Sequence, residues 1–243
     1  MKKYPITIKP FGNHTLLLEW PNEVDVNILD DILSFKEVLQ NTYGPRFEYV
    51  ASYNSLALIG RKVDFDFKQW ETELSVMYQE MEQALTTSRS LWKLPVCYDS
   101  EFGLDIEEVA KQLQCSVGEL IERHCSYEYT VFGIGFLPGF MYLGGLPKSL
   151  ETQRKQTPRL HVPKGAVGLA GKQTGIYPQD SPGGWNIIGS CPIPIFNQEA
   201  EDPCFVDVGD KIKFVAIPRA EYELHKIEAE VGVYKFKKTE LDA

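Results

Sequence analysis

The chain has 243 residues, 43% hydrophobic and 24% charged, with 34 acidic against 25 basic side chains and a net charge of −9. That length accommodates two domains with sizeable cores. The acidic balance and the lack of a dense Lys/Arg tract exclude a nucleic-acid backbone as the expected partner, and no apolar run approaches the roughly 18 residues that cross a bilayer.

The opening MKKYPITIKPFG carries two lysines with no apolar run behind them, so no signal peptide is expected. YPITIKP and HTLLLEW read as strands flanking Gly12 and Asn13. Val24, Ile28, Ile32, Phe35 and Leu39 share one face of a helix that Gly44 and Pro45 stop. FEYVASY and SLALIG form a second strand pair around Asn54. Phe67, Trp70, Leu74, Met77, Met81 and Leu85 then recur at helical spacing. The order is ββαββα, a two-layer α+β domain over residues 1–88, with the polar TTSRS (86–90) as boundary.

The second domain, 89–243, begins with a strand, LWKLPVCY, and two helices, DIEEVAKQLQ and SVGELIERHC. Ser116 and Glu119 stand in capping-box register. From Tyr127 on, YEYTVFGIGF, LHVPKGAVGLAG, WNIIGSCPIPIF and DKIKFVAI read as strands punctuated by Gly, Pro and Asp. That pattern predicts a closed or nearly closed β-barrel. AEYELHKIEAE reads as a last helix. Cys97, Cys115, Cys125, Cys191 and Cys204 are odd in number and form no CxxC pair, as expected of reduced thiols in a cytoplasmic protein.

Several catalytic patterns fail on context. In VFGIGFLPGFMYLGGLP (131–147), Gly133, Gly135 and Gly139 give GxGxxxG. Pro138 holds the place where the dinucleotide fingerprint needs glycine, and no helix can follow at once. AVGLAGKQT (166–174) nearly spells a phosphate loop, but Gln173 replaces its hydroxyl residue. Gly175, Pro178, Pro182, Gly183 and Gly184 then deny the phosphate a helix N-terminus. There is no GxSxG elbow. Ser181, beside Asp180 and before Pro182, reads as a turn residue, and Cys191 more readily as a packed strand cysteine than as a nucleophile. His14, His124, His161 and His225 lack metal-ligand spacing, so no metal is expected.

Between Val131 and Trp185 the residue types suit a pocket. Phe136, Phe140, Tyr142, Tyr177 and Trp185 offer aromatic walls. Arg159, Lys164, Lys172, Gln173 and Thr174 offer polar and cationic heads, and several glycines allow close backbone approach. Two readings stay open: a concave site for a small anion, or a barrel filled by aromatics beneath solvated cations. No catalytic residue is assigned.

GFLPGFMYLGGLP, TPRLHVPKGAVGLAGKQTGIYP and SPGGWNIIG resemble the signature blocks of the KipI family, which includes allophanate hydrolase subunit 1 and the B-type subunit of 5-oxoprolinase. The likeness covers about residues 90–217. It implies a small α+β domain followed by a cyclophilin-like barrel. It also implies a non-autonomous subunit that works with KipA-type and LamB/YcsF-type subunits in ATP-dependent ring opening of 5-oxo-L-proline to L-glutamate. ATP with Mg is then needed by the complex, none is held stably by this chain, and the chain alone is inactive. The resemblance also implies an alternative for this chain: a protein-binding inhibitor whose partner is a sporulation-type histidine kinase, or a subunit of a urea carboxylase or allophanate hydrolase-like complex.

The blocks match here at Phe136, Pro138, Gly139, Phe140, Arg159, Pro163, Gly165, Gln173, Thr174, Tyr177, Pro182, Gly183, Gly184 and Trp185. Ser190 and Cys191 stand where the family usually has Arg-Thr, and Lys164 and Ala166 where Ala and Ser are common. The expected substrate or anion pocket comprises Phe136, Pro138, Gly139, Phe140, Arg159, Lys164, Lys172, Gln173, Thr174, Tyr177, Gly183, Gly184 and Trp185. Arg159, Lys164 or Lys172 would oppose negative charge, Gln173 and Thr174 would bond an amide or carboxylate, and Phe136, Phe140 and Tyr142 would line the mouth.

Overall fold

Two antiparallel strand pairs, each followed by a helix, build the first of two compact units, which lies within residues 1–88; the other begins at Arg89. The computed structural model describes residues 3–60, 66–81 and 89–241. Most of the expected boundary segment, residues 86–88, and the predicted helix position Leu85 lie outside the described residues.

In the first unit β1 (Thr7–Pro10), β2 (Thr15–Glu19), β3 (Phe47–Ser52) and β4 (Ser55–Gly60) pair in the order β1-β2-β4-β3, all antiparallel. α1 (Val26–Tyr43) starts two residues later than the apolar spacing suggests. Asp25 caps it by accepting from Asn27 N–H, which leaves Val24 outside and 65% exposed. Ile28, Ile32, Phe35 and Leu39 are buried as the spacing predicts. α2 (Phe67–Glu80) buries Trp70, Leu74 and Tyr78. Trp20, Phe35 and Tyr78 meet edge to face. The buried Asp31 carboxylate among them accepts from Trp20 Nε1–H and the Tyr78 hydroxyl.

The second unit runs β5 (Arg89–Val96), α3 (Ile106–Gln112), α4 (Val117–Ser126), β6 (Tyr129–Ile134), β7 (Met141–Gly144), β8 (Arg159–Val162), β9 (Ala166–Ala170), β10 (Gln173–Ile176), β11 (Ser181–Gly183), β12 (Asn186–Ser190), β13 (Lys211–Ala216), α5 (Arg219–Glu230) and β14 (Lys237–Leu241). Eight strands form one sheet in the order β12-β9-β10-β7-β6-β13-β5-β14, and β8 pairs with β11 in a small second sheet. The large sheet curls back on itself. Just beyond β5, Cys97 exchanges both backbone hydrogen bonds with Ser190 of β12, each 2.9 Å, so seven strands form a ring and β14 lies along the free edge of β5.

Side chains such as Leu94, Val96, Val131, Met141, Leu143, Leu169, Ile188, Ile212 and Phe214 fill the ring. The α4 capping box is complete: Ser116 Oγ accepts from Glu119 N–H at 3.2 Å and Glu119 Oε2 accepts from Ser116 N–H at 2.8 Å. The fold is mixed α/β with several sheets.

Candidate functional site

Three of the five expected aromatic walls turn out to be packing, and Tyr142 is half-buried against Phe140. Phe140 (2% exposed), Tyr177 (2%) and Trp185 (5%) meet edge to face with centroids 5.4–6.5 Å apart, over Val162, Ala166 and Ile187. This corrects the placing of Phe140 at a pocket mouth. Glycine is the physical reason. A Cβ on Gly175 would lie 2.9 Å from the Met141 carbonyl, so its absence lets β10 close onto β7 above the Phe140 ring. The space a Cβ on Gly183 would need is taken by the Tyr177 phenol. Phe136 stays outside, 68% exposed at φ 69°, with only its edge against Phe140. Pro138 is exposed beside it, while Gly139 is buried against Phe196. Gly184 is half-buried.

The polar heads scatter as well. Thr174 is fully buried and faces the interior. Its hydroxyl donates to the Gly168 carbonyl at 3.1 Å and therefore accepts from His124 Nε2–H at 2.9 Å. His124 Nδ1 is then the acceptor for the Tyr98 hydroxyl at 2.6 Å. The imidazole stacks on Phe214, 4.5 Å between centroids and 15° from parallel. Burial pushes the His124 pKa down to about 3, so the ring is neutral. Thr174 has no hydroxyl capacity turned to a ligand, contrary to the sequence expectation. Lys172 is exposed beside Gly171 in the β9–β10 hairpin, so the phosphate-loop-like string is a hairpin, not a strand–loop–helix. Gln173 is half-buried in β10.

Arg159 is engaged. Its guanidinium grips Asp105 through both terminal nitrogens, at 2.8 and 2.6 Å. The Asp105 carboxylate, 3% exposed just before α3, also accepts from Lys155 Nζ at 2.8 Å and Ile187 N–H at 2.7 Å. Burial alone would raise its pKa. The hydrogen bonds from Arg159, Lys155 and the Ile187 amide outweigh it and hold the carboxyl below its ordinary value. The hydrogen bonds to Asp105 in turn raise the pKa values of Arg159 and Lys155. Asp105 thus ties α3, β8 and β12 together. No sequence pattern singles it out, although it opens the DIEEVA helix.

Cys191 is buried and its thiol is pushed up to about 12 by desolvation. Ser181 Oγ is buried without a hydrogen-bond partner among the described residues. His161 Nε2 bonds the Asp180 carboxylate at 3.1 Å at the surface. Among the described residues, cavities border the barrel. One of about 590 Å³ is bordered by Arg154, Lys155 and Asn186. Another of about 470 Å³ is lined by Lys164, Cys191, Tyr222 and Lys226 among others, and of the expected pocket residues only Lys164 reaches it. Tyr222 and Lys226, spaced i and i+4 on α5, were legible as a helix face but not as a cavity wall. Among the described residues no group of three His, Cys, Asp or Glu is placed to hold a metal ion, and no helix is long and apolar enough to cross a membrane.

Residues 6–206 match the family model "Carboxyltransferase domain, subdomain C and D". The chain belongs to this KipI-type carboxyltransferase family. The B-type subunit of Bacillus subtilis 5-oxoprolinase is 32% identical over 233 residues, covering 91% of this chain and 97% of the relative. The solved structure of TTHA0988 superposes with a TM-score of 0.73 at 29% identity, and the match spans 87% of this chain but 40% of that one. The Kluyveromyces lactis urea amidolyase shares the fold, with a TM-score of 0.81 at 17% identity over 98% of this chain and 16% of its own.

Proposed function

We propose that this KipI-type chain is the B-type subunit of an ATP-dependent 5-oxoprolinase. The observation that carries the reading is the near full-length identity to the B-type subunit of the Bacillus subtilis enzyme. A five-membered lactam is an unactivated amide. Transfer of the ATP γ-phosphoryl group to its carbonyl oxygen creates a leaving group. Water then adds to the activated carbon and the C–N bond opens as the nitrogen takes a proton, leaving an acyl phosphate; a second water hydrolyses that to carboxylate and phosphate, so that 5-oxo-L-proline, ATP and two waters give L-glutamate, ADP and phosphate.

Mg-ATP belongs to the assembled complex in this reading, with KipA-type and LamB/YcsF-type subunits. The hairpin at Gly171–Lys172 lacks the helix N-terminus that a phosphate loop needs. The reactive side chains here are muted as well: Cys191 carries a high-pKa buried thiol, and both His124 nitrogens are taken. The chain therefore acts as scaffold and binding surface, folded as an α+β domain and a cyclophilin-like barrel. Its five free cysteines suit a reducing cytoplasm.

An apolar stripe on α5 supports a partner. Leu224, Ile227 and Val231 are 53–65% exposed at i, i+3 and i+7, opposite Tyr222 and Ala229, which pack inward. Helical spacing puts Glu221 and Glu228 along one side of that stripe and Glu223 and Glu230 along the other. With a net charge of −9, a second copy would bring like charges together, so the stripe fits a different subunit, one with basic residues around an apolar centre.

The test is 5-oxoproline-dependent ADP release, measured for the chain alone and with both partner subunits. Release is expected only from the full set. Turnover by the chain alone, or none from the complete complex, overturns the reading.

A further inference from the structure

The cavity of about 470 Å³ lies where residues 163–165, residues 191–197 and α5 come together. Gly165 makes the closure possible. It sits at φ 85°, and a Cβ there would stand 2.5 Å from the Cys191 carbonyl oxygen. Two exposed lysines, Lys164 and Lys226, border the space, and neither ammonium has an ion-pair or hydrogen-bond partner among the described residues. The acids are unequal. Asp180 is held by Lys164 N–H at 2.6 Å and His161 at 3.1 Å, whereas Glu230, at the end of α5, has no such partner. Tyr222 contributes a hydroxyl paired with Ser190 Oγ at 3.1 Å. With Ser190 as the donor in that pair, the Tyr222 proton remains for a ligand. Pro163, Pro192 and Phe196 supply apolar wall.

We infer that this cavity binds a small monocarboxylate with a compact, apolar or amide-bearing body. The carboxylate meets Lys164, Lys226 and the Tyr222 hydroxyl, donors that no acceptor among the described residues satisfies in that arrangement. The proline-rich wall takes the body. Glu230 disfavours a second negative charge. The site differs from the one the sequence blocks suggest: Arg159 is spent on Asp105, and Thr174 on the Gly168 carbonyl and His124. That its ligand is the lactam 5-oxo-L-proline, a monocarboxylate with an amide body, rests on the proposed function; the carboxylate chemistry does not.

The experiment is titration of the isolated full chain, followed by calorimetry and by amide NMR shifts, with 5-oxo-L-proline as probe. Its neutral amide, 5-oxoprolinamide, L-glutamate and inorganic phosphate are comparison ligands. Saturable binding of 5-oxo-L-proline is expected, with shifts at residues 163–165 and 190–192. The neutral amide should not bind, and glutamate and phosphate should bind more weakly. Lys164→Ala and Lys226→Ala should each weaken binding about tenfold, while the exposed Lys235→Ala leaves it unchanged.

No saturable binding below roughly 20 mM, about 2 kcal/mol, overturns the proposal, as does phosphate or glutamate binding as tightly as the lactam, or indifference to both lysine changes. Binding without turnover in the reconstituted complex leaves the site standing and removes the 5-oxoprolinase reading. Turnover by a complex carrying both lysine changes at an unaltered KM does the reverse.

Discussion

Asp105→Asn is the most informative single change in the barrel. The side chain is nearly isosteric, so packing is preserved and charge alone is removed. Four donors converge on the carboxylate: two from Arg159, one from Lys155 and the Ile187 amide. An asparagine can accept at one oxygen, and it turns an N–H₂ toward donors. Breaking a buried ion pair from one side costs about 3–5 kcal/mol. The low end applies here, because the Arg159 and Lys155 side chains retain 26% and 23% exposure and water can take over part of their solvation. A loss of about 3 kcal/mol is expected, a midpoint shift of roughly 6–12 °C for a chain of this size.

The assay is denaturant unfolding followed by tryptophan fluorescence, repeated from pH 7 to pH 3. Asp105 has a depressed folded pKa, so its contribution is present above its ordinary value of 3.8 and is lost as pH falls through the lower folded value. The gap between wild type and variant should therefore be full at pH 7 and shrink below about pH 4. Arg159→Met in a double-mutant cycle should show coupling of about 2 kcal/mol or more. A cost under about 1 kcal/mol, or a gap that ignores pH, would refute the assignment of Asp105 as the tie between α3, β8 and β12.

Three further outcomes follow from the same structure. His124 stays neutral when folded, with a pKa near 3 against 6.5 for the free side chain, so the unfolded state binds the extra proton. Stability should fall as pH drops from 6.5 toward 3, by about 2 kcal/mol at pH 5, and His124→Gln should flatten that slope; an NMR titration of the ring near pH 6.5 would contradict it. Phe140→Ala should cost about 3–5 kcal/mol by opening the aromatic cluster, and a variant within about 1 kcal/mol of wild type would return Phe140 to the surface. Changing Leu224 and Ile227 together to Lys should leave the melting midpoint unchanged and weaken partner binding about tenfold or more; undiminished co-purification would remove α5 from the interface.

What the sequence disclosed depended on whether the pattern was local. The α1 and α2 stripes, the Ser116–Glu119 capping box and the strands with clear β-branched runs arise from spacings of two, three or four residues, and they appear where those spacings put them, except that Val24 falls before α1 and Met81 after α2. β7, Met141–Gly144, was harder. Its four residues sit among glycines and prolines and carry no strand signal of their own, and only pairing with β6 and β10 makes them a strand. β14, KKTEL, has almost no apolar content, because it is an exposed edge whose Lys238 lies over the Trp92 ring.

Site residues pose the same problem at longer range. Aromatic and cationic side chains within one stretch resemble the walls and heads of one pocket, but a strand sends alternate side chains to opposite faces. Thr174 goes inward to His124, fifty positions away in sequence, and Arg159 goes to Asp105, 54 positions away. Neither partner shares a motif with its residue. The glycines of VFGIGFLPGFMYLGGLP do permit close approach. What approaches is the protein's own backbone and aromatic core, with Phe132 against Gly144 and Phe196 against Gly139, not a phosphate. A glycine-rich block therefore marks where the chain is crowded, and the occupant of that space is decided by the partners folding brings to it.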